Sequence, residues 1–128
     1  MRLVGVGIDV VSIPRIAALL DRFGDRFERR WFDPLEVVQP GNRAVVLATG
    51  FAIKEAVWKA LPHDTVAPLP WREIVTHRGS TTDEIAIELR GKLEVEADSH
   101  GVGAIAVTVS VRGDLVVAVA LVEEAPVG

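Results

Sequence analysis

Between residues 42 and 61 the chain is apolar on nearly every side of a helix, yet the same stretch carries Lys54, Glu55 and Lys59. Val45, Val46, Leu47, Phe51, Ile53, Val57, Trp58 and Leu61 leave no continuous polar face. A helix of that kind is buried in a core or an interface. Asn42 is placed to cap it and Pro62 to stop it. Charges set in apolar sequence are costly to bury without partners, so this helix calls for counter-charges or a ligand.

A counterpart lies near the start. Residues 3–11 alternate with period two and predict a strand. One face carries Val4, Val6, Ile8 and Val10; the other carries Leu3, Gly5, Gly7, Asp9 and Val11. Glycines beside an acid on one face allow another backbone or a ligand to come close. Ser12 is placed to cap a helix with Pro14 in its first turn, and Ile16, Ala17, Leu19, Leu20 and Phe23 recur at helical spacing. Gly24 interrupts that helix, residues 26–32 predict a second short one, and Pro34 and Pro40-Gly41 bracket a loop or short helix. Residues 63–70 are proline-rich and expected to be irregular. Strands are predicted over 74–77 and 84–89 and a short helix over 91–100. Two strong strands, 104–111 and 115–122, are joined by a turn at Arg112-Gly113-Asp114. Strands and helices mix without a strict βαβ rhythm, which predicts one α+β domain over residues 1–128.

Composition narrows the classes. Hydrophobic residues make up 49% of the 128 and charged residues 25%, the balance of a folded chain rather than a disordered one. A formal net charge of −4 argues against general nucleic-acid binding. Without cysteine there are no disulfides and no thiolate metal sites. The first residues lack the apolar core and cleavage site of a signal peptide, and no apolar run is long enough to span a bilayer, so no membrane association is expected and the cytoplasm is the expected compartment. A small chain this apolar has surface to cover, and self-association is the expected means.

Asp9 and Glu55 come from separate elements, as the protein half of a magnesium site does; the remaining ligands of such an ion are water and substrate phosphates. Lys59, four residues after Glu55, shares its helix face and can neutralise a diphosphate or a departing phosphate oxygen. The same residues also suit plainer roles: Glu55 and Lys59 as a helix-surface ion pair, Asp9 as a cap for the following helix. His63, His77 and His100 show no paired spacing and read as loop or surface residues. Trp31, Trp58 and Trp71 read as core or interface anchors. Neither a GxSxG nucleophile motif nor a GxGxxG fingerprint occurs.

Taken as a pair, GVGIDVVSIPRI and FAIKEAVWKAL resemble the holo-acyl-carrier-protein synthase family of 4′-phosphopantetheinyl transferases, whose pattern is a GIDxVxxxRI-like start followed by a WAxKEAxxKA-like helix. The resemblance implies that family's fold, a small antiparallel sheet packed on a long buried helix in a compact homotrimer with active sites between subunits. It implies transfer of the phosphopantetheine arm of coenzyme A to a serine of an apo acyl carrier protein, with 3′,5′-ADP leaving; fatty-acid, polyketide and peptide carriers all qualify. Carried over by position, Asp9 and Glu55 are magnesium ligands, Glu55 or a water it orients takes the serine proton, and Lys59 steadies the phosphate; these three are the catalytic set. Lys54 also matches the motif and is expected to be structural or peripheral. Arg15, Arg22, Arg26 and Arg29 recur along the first helices, and the resemblance implies that this region docks an acidic carrier; a solvated helix surface is the plainer alternative.

The chain departs from the pattern at the nucleotide end of coenzyme A. Gly50 stands where the family often has arginine, Val111 follows Ser110 where the family has histidine, and Gly79-Ser80-Thr81-Thr82-Asp83 replaces a GxP step. Lys59, Arg43, Arg112 and Ser110 are the residues expected to bind coenzyme A, with Arg78 and His77 as further substitutes. These departures leave open a relative that binds or acts on carrier-linked intermediates without transferase activity.

Overall fold

The structure is a computed structural model and describes residues 2–63, 69–79 and 84–127. In chain order it contains β1 (Leu3–Ser12), α1 (Ile13–Phe23), α2 (Asp25–Trp31), α3 (Arg43–Ala60), β2 (Ile74–Arg78), β3 (Ile85–Leu89), α4 (Gly91–Ser99), β4 (Val102–Arg112) and β5 (Leu115–Glu124). Short 3-10 turns occupy Pro34–Val37 and Trp71–Glu73. These elements match the expected ones to within a few residues. Most of the proline-rich stretch 63–70 and the Ser80–Asp83 part of the replaced GxP step lie outside the described residues.

Local chemistry sets the boundaries. Ser12 accepts a hydrogen bond from the Arg15 amide, and Asn42 from the Val45 amide, so both expected caps form. Gly24 closes α1 at φ 56°, a left-handed conformation that glycine adopts without strain, and starts α2 on a new axis. The β4–β5 turn is likewise reversed at Gly113, φ 57°. Strands β1, β5 and β4 form one antiparallel sheet in that order, and β2 and β3 form a separate two-stranded one. The single small sheet of the sequence expectation is therefore two.

Helix α3 lies on the inner face of the three-stranded sheet, and eleven of its residues are buried. The strand brings Gly5 and Gly7 against it. A Cβ on Gly5 would sit 1.8 Å from the Ala60 carbonyl oxygen, and one on Gly7 1.9 Å from that of Ala56. Two strand residues advance about 6.6 Å and four helix residues about 6 Å, so strand and helix stay in step as they run in opposite directions. The next inward position on β1 is Asp9, one turn back along α3. Ala118 and Ala120 of β5, both fully buried, keep the rest of this face shallow. The opposite face of β1 carries Val4, Val6, Ile8 and Val10, all exposed in the protomer.

A second anchor fixes the rotation of α3. Lys54 has no solvent exposure; its Nζ donates to the Glu36 carboxylate at 3.0 Å, to the Trp71 carbonyl at 2.8 Å and to the Ile74 carbonyl. Glu36 also accepts from the Asp33 amide and from the amide and hydroxyl of Thr76. Burial pulls the Lys54 ammonium below its usual range, and the Glu36 charge opposes this.

Candidate active site

Asp9 is buried in β1, and its Oδ1 accepts from Lys59 Nζ at 2.7 Å. The same ammonium reaches the Ile8 carbonyl at 3.2 Å. The other oxygen, Asp9 Oδ2, is buried and receives no bond from an amide, ammonium or hydroxyl group. Glu55 is half-buried one turn before Lys59. Its carboxyl is pushed up to about 7, first by burial, then by the charge and hydrogen bonding of Asp9; Lys59 and Arg15 pull the other way. The structure thus brings together all three residues of the expected catalytic set.

Two carboxyls that resist each other's ionisation, with one buried oxygen left over, are deficient in positive charge. Lys59 supplies part of it, from one side. Hard oxygen donors in this number suit a magnesium ion that takes its other ligands from water and phosphate, so the residues fit the ion. Among the described residues no group of three or more His, Cys, Asp or Glu side chains is placed to hold a metal ion.

The other expected residues are placed as follows. Arg43 is engaged by Glu28 in a two-point contact (Nε to Oε1, 2.7 Å) and donates to the Val37 carbonyl at 2.7 Å. Ser110 is exposed and lines a groove with Thr49 and Arg78, and Arg112 is exposed at the end of β4. Gly50 is buried under Phe32, whose ring would lie 2.7 Å from any Cβ there, so an aromatic ring fills the space beside the position of the family's arginine. Lys54 is structural. His77 lies on β2, exposed, and pairs with Glu88 at 2.7 Å; His63 stacks on Trp58 with ring centroids 3.7 Å apart.

Arg15, Arg22 and Arg26 are all exposed. The break at Gly24 separates Arg26 from the α1 arginines and folds α2 back to make a groove of about 410 Å³, lined by Leu19, Phe23, Arg26, Phe27, Arg30 and Trp31. Arg30 adds to the expected basic set; its signal in the sequence is the four-residue step from Arg26, matched by that from Phe23 to Phe27. Trp31 and Trp71 pack with Phe27 and Phe51 in one aromatic cluster beneath.

With this geometry in place, comparison with known proteins is specific. A family model described as the 4′-phosphopantetheinyl transferase superfamily matches residues 5–120. The holo-[acyl-carrier-protein] synthase of Chlamydia trachomatis is 35% identical over 122 residues, covering 93% of this chain and 98% of that protein. That of Nitratidesulfovibrio vulgaris is 52% identical over 61 residues; this match spans 46% of the chain and about half, 49%, of the relative. Among solved structures, the holo-[acyl-carrier-protein] synthase of Neisseria meningitidis superposes with a TM-score of 0.84 at 28% identity, covering 95% of this chain and 99% of that one. The Helicobacter pylori enzyme in complex with coenzyme A gives 0.79 at 28% identity, covering 92% and 99%.

Proposed function

Because the chain belongs to the holo-acyl-carrier-protein synthase family of the 4′-phosphopantetheinyl transferase superfamily, we propose that it moves the 4′-phosphopantetheine arm of coenzyme A onto a serine of an apo acyl carrier protein. The observation that carries this reading is the meeting of Asp9, Glu55 and Lys59 from separate elements, two carboxyls sharing one ammonium. A relative solved with coenzyme A bound supports the donor.

The carrier serine oxygen attacks the phosphorus next to the pantetheine, the bond to the bridging diphosphate oxygen breaks, and 3′,5′-ADP leaves. Glu55, directly or through a water it orients, takes the serine proton. Asp9 and Glu55 would hold magnesium, which supplies Lewis-acid polarisation of the diphosphate and charge neutralisation when bound. Lys59 places an ammonium beside Asp9, where it steadies the diphosphate oxygens. Lys59, Arg43, Arg112 and Ser110 form the proposed coenzyme A contacts.

Arg15, Arg22 and Arg26 are the proposed docking residues for the acidic carrier, with the apolar floor of the α1–α2 groove to receive its hydrophobic side chains. A homotrimer in the cytoplasm completes the proposal; the exposed valines and isoleucine of β1 are what such an assembly covers. No helix of the described residues is long and apolar enough to cross a membrane.

Incubation of the purified protein with coenzyme A, magnesium and a panel of apo carrier proteins, followed by intact-mass measurement, tests the activity. Addition of one phosphopantetheine to a carrier is the expected outcome. Unmodified carriers throughout, with no coenzyme A binding, would overturn it.

A further inference from the structure

Arg78 ends β2 half-buried, and it lines a groove of about 740 Å³ together with Gln39, Thr49, Ser110 and Val111. Among the described residues no acidic side chain lines this groove. Among the described residues Arg78 has neither a hydrogen bond nor an ion pair; Glu84, whose carboxylate packs against Gly79, forms none with it. Three other arginines have carboxylate partners: Arg43 has Glu28, Arg90 has Glu88 and Asp33, and Arg2 has Glu124. Burial pulls the Arg78 guanidinium below its usual range, and no carboxylate of the described residues offsets it.

A desolvated guanidinium without a counter-ion is costly and is satisfied by an oxyanion that meets its planar fork. Ser110 adds an exposed hydroxyl that can donate to the same anion, whereas the Thr49 hydroxyl is committed to the Val45 carbonyl at 2.7 Å. The groove follows the amino-terminal half of α3, and the carboxylate cluster lies on the carboxy-terminal half, about 9 Å further along the axis from Thr49 to Glu55. Coenzyme A carries phosphate in two places, a diphosphate and a ribose monoester. With the diphosphate at Lys59 and the carboxylates, the monoester is the anion left over.

On the reading that coenzyme A is the substrate, we propose that Arg78 recognises its ribose 3′-phosphate and is the residue that makes this protein prefer coenzyme A over the dephosphorylated form. Arg78 does so in a chain where Gly50 and Val111 have removed two other polar groups from this end of the ligand.

Calorimetric titration with coenzyme A and with 3′-dephospho-coenzyme A, at fixed magnesium, tests this on the unmodified protein, Arg78→Ala and Arg78→Lys. The unmodified protein is expected to bind coenzyme A at least about tenfold more tightly, the worth of one charge-assisted contact to phosphate. Arg78→Ala is expected to bind both at the affinity the unmodified protein has for the dephospho form, and Arg78→Lys to keep part of the preference. Equal binding of the two ligands by the unmodified protein overturns the assignment without the aid of any variant. So does an Arg78→Ala protein that is weakened equally towards both. Binding of neither ligand by the unmodified protein brings down the substrate reading itself, and this assignment with it, whereas equal binding of both ligands by an unmodified protein that still transfers would remove the Arg78 assignment alone.

Discussion

At Glu55 one carboxyl links stability to the proposed metal binding and catalysis. In the folded, metal-free protein it keeps its proton to about pH 7, against an ordinary value of 4.5, chiefly through burial and then through Asp9. Between those values the folded state binds more protons than the unfolded state, so stability falls as pH rises through the window. Urea unfolding of the metal-free protein from about pH 5 to pH 8 is expected to show this decline, and Glu55→Gln to flatten it. Magnesium has to compete with that proton, so its affinity should rise over the same range. Glu55→Gln is expected to lower kcat at least about a hundredfold, as loss of a general base does, with the protein still folded. Gly7 is under a different constraint. Its Cβ would meet the Ala56 carbonyl oxygen at 1.9 Å, and backbone cannot step aside as a side chain can. Gly7→Ala should therefore push β1 off α3 and destabilise by about 3 kcal/mol or more, read as a shift in the urea midpoint. A change below about 0.5 kcal/mol would show that the strand has room to move.

Consecutive residues on α3 point about 100° apart, and this separates two charged neighbours into two jobs. Lys54 turns towards Glu36 and the carbonyls of Trp71 and Ile74, while Glu55 turns towards Asp9. Lys54→Met removes the charge but keeps the length, leaving Glu36 buried and uncompensated at a cost of about 3–5 kcal/mol. Adding Glu36→Gln should recover part of that loss in urea unfolding, and the folded fraction of either protein should keep kcat near that of the unmodified enzyme. A large fall in kcat in well-folded Lys54→Met would instead give Lys54 a direct part in the reaction. The sequence announced α3, its caps and the charges it carries, because apolar residues all round a helix and a flanking Asn and Pro are local signals. Glu36 as the partner of Lys54 was not legible: the two are eighteen residues apart across a proline-bracketed turn, and nothing periodic connects them. The faces of β1 were legible, but not which one meets the helix. Hydrophobicity alone would turn Val4, Val6, Ile8 and Val10 inward; the close backbone approach at Gly5 and Gly7 turns Asp9 inward instead.

That inversion leaves a protomer with its apolar strand face outward. Val6, Ile8 and Val10 are 53%, 56% and 54% exposed, and across the sheet they stand beside Leu121, Val119 and Val117 of β5. A continuous apolar face of this kind on a small domain marks an interface, and a second copy in the proposed homotrimer is its proposed occupant. The contact also bears on the chemistry, because Ile8 and Val10 flank Asp9 on the same strand and the Ile8 carbonyl receives Lys59. A partner pressed on the outer face, as proposed, would hold the strand that presents Asp9 on the inner one. Ile8→Glu should therefore dissociate the assembly, because a charge there would have to be buried unpaired, and should lower transfer activity along with it. Val95→Glu is the matched control: Val95 is 69% exposed on α4, away from this face, and the same change there should alter neither mass nor activity. Light scattering coupled to size-exclusion chromatography reads the first effect, and a carrier-modification assay at the same protein concentrations reads the second. An Ile8→Glu protein with the mass of the unmodified assembly would remove the β1 face from the interface. A monomeric one with full activity would show that a single chain completes the site.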